Sequence, residues 1–269
     1  MPAKLVPDYE VKLLLKLSEV LGSNNKLSNA IVSEFDIASS TKKMNVQFID
    51  TKDQDIYTSG WNLRIRKEEG ENNFELTYKK RYSIGEEYSS TAGGHIDTAL
   101  ETAQQEGFDT TTEYKAQVEV GYQKQTLSIS YDVEVPDEGS EGMDLPNAKV
   151  SRDLLTDGAP KEFENWNAPN WGGNHLVTSI VYGPVHAKRF KGNWDDGLKL
   201  SIEVWPIRKS KEDATLEPIV EASFKTSDLQ KALKAREKIV ELLQKKGWFL
   251  AKDSLKTKLI MERYGCLGE

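Results

Sequence analysis

Cysteine is almost missing. Cys266 is the only one in 269 residues, which excludes an intramolecular disulfide, and there is no Asn-x-Ser/Thr sequon; together these point to a reducing, cytoplasmic setting. Long apolar runs are also missing, none approaching the ~20 residues that span a bilayer. Met1-Pro2-Ala3-Lys4 lacks the basic-then-apolar build of a secretion signal. Histidine is scarce: His95, His175 and His186 show no metal-ligand spacing and read as surface or structural residues. Neither a GxxxxGK phosphate loop nor a Gly-x-Ser-x-Gly nucleophile motif occurs. Positive charge is in deficit, with a net charge of -7 and a pI near 5.3. That argues against a duplex nucleic-acid partner, but not against a local basic site for a small anion; no membrane partner is expected either, since no apolar run is long enough to span a bilayer.

What the chain does have is strands with one charged and one apolar face. Asp8, Glu10 and Lys12 alternate with Tyr9, Val11 and Leu13, the two-residue period of a strand. A strand over Met44–Asp50 is expected next, then a helical turn over Lys52–Ser59. Trp61–Lys67 sets Leu63 and Ile65 against Arg64 and Arg66, and Phe74–Lys80 forms its hairpin partner, with Phe74, Leu76 and Tyr78 opposing Glu75, Thr77 and Lys79. Short helices are predicted over Leu27–Ser33 and near Ile96–Glu106, and two strands between Tyr114 and Val135, around Gly121-Tyr122. The polar stretch 159–174, with Trp166 and Trp171, reads either as a lid or as tryptophans packing down a loop. Strands are predicted at Leu176–Lys191, Leu198–Trp205 and Glu217–Lys225. The strongest helix follows, with a capping box from Ser227 to Gln230 and Gly247 as its stop. A last strand is predicted over Ser254–Glu262, with Lys256, Lys258 and Glu262 on one face.

On an open antiparallel sheet these ionic faces would be the solvent side. So many strands with so few helices instead suggest closure, which turns one face into an interior. A charged interior is costly unless it is wet and meets a ligand of matching charge. A phosphate chain suits Arg and Lys, and a hard divalent cation suits carboxylates.

These pieces resemble the CYTH, or triphosphate tunnel metalloenzyme, superfamily. Asp8-x-Glu10-x-Lys12 is similar to its N-terminal Glu-x-Glu-x-Lys. Gln47-Phe48-Ile49-Asp50-Thr51 resembles its "YFDT" strand, Leu63-Arg64-Ile65-Arg66 its "LRxR" strand, and Leu76-Thr77-Tyr78-Lys79 its "LTxK" strand. Leu200-Ser-Ile-Glu203 and Ile219-Val-Glu221 resemble its later acidic strands. The likeness covers roughly residues 5–82 and 176–264.

The resemblance implies an α+β fold: an eight-stranded antiparallel β-barrel or tunnel with a few flanking helices. One CYTH-like tunnel domain would span 1–269, with an elaborated middle region at about 84–175. It implies an enzyme, a metal-dependent phosphohydrolase acting on a small phosphate-bearing substrate: inorganic, nucleoside or thiamine triphosphate. Lys12, Arg64, Arg66 and Lys79 would bind the phosphate chain. Lys188 or Arg189, with Lys256 or Lys258, would complete the basic ring. Asp8, Glu10, Glu203 and Glu221 would hold Mg²⁺ or Mn²⁺, and Glu10, Lys12 and Glu221 would carry the catalysis.

Departures from the pattern keep other readings open. Asp8 is one methylene shorter than the usual Glu, Ser223 replaces an expected acid, and the long middle region is atypical. A repurposed tunnel running lyase or cyclase chemistry on an organic diphosphate, such as a prenyl diphosphate, is one alternative. Tyr88, Phe108, Tyr114, Trp166 and Trp171 would then build its apolar pocket. A non-catalytic polyphosphate-binding module is another. The oligomeric state is left open.

Overall fold

Strands that are apolar on one side and ionic on the other must bury the apolar side, and here they do so outwards, beneath helices. The structure is a computed structural model, and it describes residues 2–22, 26–85, 92–139, 142–195, 197–253 and 256–265. In chain order the elements are β1 (Asp8–Leu15), α1 (Leu17–Val20), α2 (Asn29–Glu34), β2 (Thr41–Asp50), α3 (Asp55–Thr58), β3 (Trp61–Glu68), β4 (Asn73–Gly85), α4 (Ala92–Gln105), β5 (Lys115–Val120) and β6 (Gln125–Pro136). They continue with α5 (Ala148–Asp157), α6 (Lys161–Glu164), α7 (Trp171–Thr178), β7 (Ile180–Trp194), β8 (Leu198–Arg208), β9 (Leu216–Thr226), α8 (Leu229–Lys245) and α9 (Lys256–Tyr264).

The strands close into a barrel in the order β1-β5-β6-β4-β3-β2-β7-β8-β9, and β9 pairs back onto β1. The expected count and direction therefore need correcting. There are nine strands in the described barrel, and β1 runs parallel to β5, with Asp8 opposite Gln117 and Glu10 opposite Glu119. The cause is the middle region. A parallel pair needs a long crossover, and β5 reaches the edge of β1 only after the chain has made α4 and a loop. Every other adjacent pair is antiparallel.

The main hydrophobic core lies outside the barrel. Val11, Leu13, Leu63, Ile65, Leu76, Ile129, Ile202 and Ala222 pack in one cluster with Ala232, Ala235, Ile239 and Leu243 of α8 and with Ile96, Leu100 and Ala103 of α4. The N-cap of α8 is Asp228, whose side chain accepts from Lys231 N at 2.6 Å; the expected capping box on Ser227 is displaced by one residue. Gly247, at φ +73°, ends that helix as expected.

A smaller cluster plugs one end of the barrel. Met44, Val46 and Phe48 of β2 meet Tyr182 and Val185 of β7, Trp205 and Ile207 of β8, and Ile260, Met261 and Tyr264 of α9. Here the sequence expectation fails, because the last segment is helical rather than a strand. Ser254 and Leu255 lie outside the described residues. From Lys256 onward, Thr257, Ile260, Met261 and Tyr264 recur at helical spacing, with the last three buried. The residues expected as a strand at Leu176–Thr178 likewise end α7, and α6 lies within the stretch 159–174 that was expected as a loop.

Trp166 and Trp171 are not a lid. Trp61, fully buried, meets Phe163 at 5.3 Å, Trp166 at 5.6 Å and Phe108 at 5.9 Å, and Trp171 meets Phe163 at 5.8 Å. Among the described residues, no helix is long and apolar enough to cross a membrane.

Candidate functional site

Because the apolar faces point outwards, the ionic ones converge on a cavity of about 380 Å³ inside the barrel. Strand parity decides who enters. From β1 come Asp8, Glu10 and Lys12; from β3, Asn62, Arg64 and Arg66; from β4, Glu75, Thr77, Lys79 and Arg81. Arg189 enters from β7, Glu203 and Trp205 from β8, Glu221, Ser223 and Lys225 from β9, and Lys256 from the first turn of α9. Nine cationic and six acidic side chains line it, so a protein that is acidic overall encloses a positively charged interior. That sign favours an anion.

Among the expected residues, Asp8, Glu10, Lys12, Arg64, Arg66, Lys79, Arg189, Glu203, Glu221 and Lys256 are brought together. Lys188 and Lys258 are not. Lys188 has the parity opposite to Arg189 on β7 and does not line the cavity. Lys258 is exposed on α9, 3.7 Å from Glu262 one helical turn on. Of each open pair, the member that lines the cavity is Arg189 and Lys256.

The cations are held ready by internal partners. Arg64 Nη2 donates to Glu75 Oε1 at 2.7 Å and to Thr77 Oγ1 at 2.8 Å, while Arg66 Nη2 donates to Glu75 Oε2 at 2.6 Å. The Nε atoms of Arg64, Arg66 and Arg81 are buried and have no hydrogen-bond partner among the described residues. Lys12 Nζ lies 3.1 Å from both Glu10 Oε2 and Glu119 Oε1, and Lys79 Nζ lies 3.7 Å from Glu119 Oε1. Burial alone would discharge Lys12, but Glu10, Glu119 and Glu221 together hold its pKa above the ordinary lysine value. Lys79 goes the other way. Burial pushes it down to about 7; Glu119 opposes this, while Lys12, Arg81 and Arg64 add to it.

The acids are partnered with equal care. Burial pushes the Glu10 carboxyl up, yet the Lys12 and Lys225 charges bring it below the ordinary value. Glu10 also accepts from Gln117 Nε2 at 2.6 Å. Glu203 and Glu221 stand directly opposite each other across β8 and β9. Lys256 Nζ joins them, at 3.0 Å from Glu203 Oε2 and 2.7 Å from Glu221 Oε1. Arg189 Nε donates to Glu203 Oε1 at 2.9 Å, and Trp205 Nε1 to Glu203 Oε2 at 2.8 Å.

Carboxylate oxygens are suitable donors for a hard cation, and Glu221 Oε2 is buried with no partner among the described residues. The arrangement nevertheless disagrees. Lys256 fills the gap between Glu203 and Glu221, Glu10 is turned to Lys12 and Gln117, and among the described residues no group of three or more His, Cys, Asp or Glu side chains converges. As arranged, Asp8, Glu10, Glu203 and Glu221 do not fit a resident Mg²⁺ or Mn²⁺.

Sequence reading missed Arg81, Glu75, Asp132, Lys115, Lys225, Trp205 and Glu119. Arg81 was accessible in principle, because it continues the parity of Thr77 and Lys79 one step beyond the expected strand end. Glu119 follows Lys115 and Gln117 on the polar face of β5, opposite Ala116, Val118 and Val120. Its importance depends on the parallel pairing with β1, which no local pattern announces.

The aromatic pocket needed for an organic diphosphate is not at the tunnel. Phe108, Tyr114, Trp166 and Trp171 belong to the outer core, and Tyr88 lies outside the described residues.

No family model matches the chain, and no curated protein matches it. Among solved structures, the chain is similar to a candidate adenylyl cyclase from Hippeastrum described as having a dominant triphosphatase activity. The two share 12% identity over 93% of this chain and 93% of that chain, with a TM-score of 0.51. A candidate adenylate cyclase from Bacillus halodurans shares 14% identity over 96% of this chain and 98% of that one, with a TM-score of 0.48. At such identities the first likeness is one of fold: the chain has a CYTH-like tunnel.

Proposed function

We propose that the tunnel binds the phosphate chain of a small triphosphate, inorganic or carried by a nucleoside or thiamine, and hydrolyses it. The observation that carries this reading is the row of three guanidinium groups, Arg64, Arg66 and Arg81. Their buried Nε atoms lack partners among the described residues, and they sit beside Lys12 and Lys79 in one enclosed, net-positive cavity. Planar guanidinium groups pair bidentately with phosphoryl oxygens. A phosphate chain would replace Glu75 as the partner of Arg64 and Arg66 and satisfy the orphaned donors. Phosphoryl transfer asks the protein mainly for positioning and charge stabilisation, and these cations supply both. Glu10, kept ionised by Lys12, is the group proposed to orient the attacking water and accept its proton. A divalent ion would arrive with the triphosphate, as part of the substrate.

The relative from Hippeastrum with triphosphatase activity supports this reading by analogy of fold alone. A second reading, a phosphate-binding module without turnover, is favoured by one observation: Lys256 already neutralises Glu203 and Glu221.

The test is phosphate release from inorganic, nucleoside and thiamine triphosphates, with and without Mg²⁺ or Mn²⁺, by wild type, Arg64→Ala and Glu221→Ala. Loss of turnover in both folded variants supports hydrolysis. Tripolyphosphate binding by calorimetry without any turnover would favour the module, and unchanged turnover in both variants would remove the site.

A further inference from the structure

Lys256 enters the cavity from α9 rather than from a strand, and it stands where two facing carboxylates meet. Glu203 and Glu221 are opposed across β8 and β9. Two buried acids so placed repel each other unless a cation lies between them. The cation present is the Lys256 ammonium, 3.0 Å from one and 2.7 Å from the other. It also lies 4.6 Å over the Trp205 ring, a favourable seat for a desolvated ammonium. Its backbone is fixed by α9: Gln54 Nε2 donates to Met261 O at 2.9 Å, Arg263 Nη1 to Arg208 O at 2.8 Å, and Arg208 N to Tyr264 Oη at 3.0 Å.

Glu221 is only partly served by this contact. Its Oε2 is buried and has no partner among the described residues, in a residue 1% exposed. The ammonium contacts one oxygen of each acid and Arg189 Nε takes Glu203 Oε1, so Glu221 Oε2 is the one of the four carboxylate oxygens left without a partner among the described residues. A divalent ion between the same two acids would engage oxygens of both. The ammonium and the metal require the same space.

We propose that Lys256 is a tethered counter-ion for the Glu203–Glu221 pair, and that a divalent cation binds these acids only by displacing its side chain. Lys256 therefore sets how tightly the tunnel takes up metal and keeps the acid pair neutralised when metal is scarce. This competition presupposes the tunnel as the anion site proposed above. Because its probe is metal with no phosphate compound present, it can fail while that reading stands, and the reverse.

The experiment titrates Mn²⁺ alone into the full chain and reads bound metal by the relaxation of water protons. Lys256→Met is compared with wild type and with Lys258→Met, an exposed control on the same helix. Lys256→Met is expected to bind one Mn²⁺ about tenfold or more tightly than wild type, with Lys258→Met matching wild type. The thermal midpoint of Lys256→Met is expected to rise more on adding Mn²⁺ than that of wild type. Adding Glu221→Gln to Lys256→Met should abolish the gain. Equal or weaker Mn²⁺ binding by folded Lys256→Met would overturn the proposal.

Should Lys256→Met fail to fold, the wild-type chain decides. Acetic anhydride labelling of lysines, read by mass spectrometry, should rise at Lys256 with saturating Mn²⁺ and stay constant at Lys258. Labelling of Lys256 that is indifferent to Mn²⁺ would refute displacement.

Discussion

Arg66 and Glu75 face each other across β3 and β4, and their side chains meet at 2.6 Å. The same carboxylate holds Arg64 at 2.7 Å, so one acid occupies two guanidinium groups much as a phosphoryl group would. Charges of Arg64 and Arg66 in turn keep Glu75 below the ordinary carboxylate value despite burial, which acts the other way. Glu75 is then both the organiser of this pair and the competitor of its ligand. Glu75→Gln should bind tripolyphosphate roughly threefold to tenfold more tightly at low salt, where charge interactions are least screened. Its thermal midpoint should fall, because two adjacent guanidinium groups lose their common counter-ion. Calorimetry and thermal melts on one preparation measure both effects. Weaker binding would mean that organisation outweighs competition.

Lys79, pushed down to about 7 mainly by burial, carries a pH signature. In the unfolded chain it keeps its ordinary, higher value. Folding therefore penalises the charged form. The penalty is full below pH 7 and fades as pH rises towards 10, where the unfolded lysine also loses its proton. Lys79→Met should stabilise the protein by roughly 1–3 kcal/mol near pH 6 and by less at pH 9. An anion in the tunnel favours the ammonium, so tripolyphosphate binding at pH 8 should take up a proton that Lys79→Met does not. Titration in two buffers of different ionisation enthalpy reads that proton directly.

How much of this was legible beforehand depends on the range of the interaction involved. Alternation placed Lys12, Arg64, Arg66, Glu203 and Glu221 on common strand faces, because side-chain period is a local property. It also carried the expectation that these faces share an interior, and the tunnel bears that out. The partners were not legible. Glu119 meets Lys12 only because β5 runs parallel to β1 after a long crossover. Lys256 reaches Glu203 from a helix whose residues also alternate like a strand. For Leu255 to Met261 the two periods overlap, and only the buried Ile260 and Tyr264 separate them.

Trp166 offers a check on what is scaffold. Its ring packs on Trp61 and Phe108 and lies 3.9 Å beneath the Lys80 ammonium, which donates to Ser59 O at 2.5 Å. None of these groups lines the cavity. Trp166→Leu should lower stability by roughly 2–4 kcal/mol through lost packing and the lost cation–π contact. At a temperature where it remains folded, kcat/KM for the triphosphate should match wild type. A large drop in kcat/KM without a loss of stability would revive the lid.

Glu203 ties acid sensitivity to the tunnel. Burial pushes its carboxyl up, but Lys256 and Arg189, with hydrogen bonds from Lys256 and Trp205, hold it far below the ordinary range. A depressed folded value means that the stabilisation is present above the unfolded value of about 4.3 and is lost as pH falls below it. Glu203→Gln should therefore cost roughly 2–4 kcal/mol at pH 7, where it leaves Lys256 and Arg189 short of a buried partner. At pH 3.5 the difference from wild type should have narrowed, because the native carboxylate by then resists a proton that the unfolded chain accepts. Urea midpoints at the two pH values decide this. A constant gap across them would mean that Glu203 contributes by shape and hydrogen bonding, with its charge immaterial.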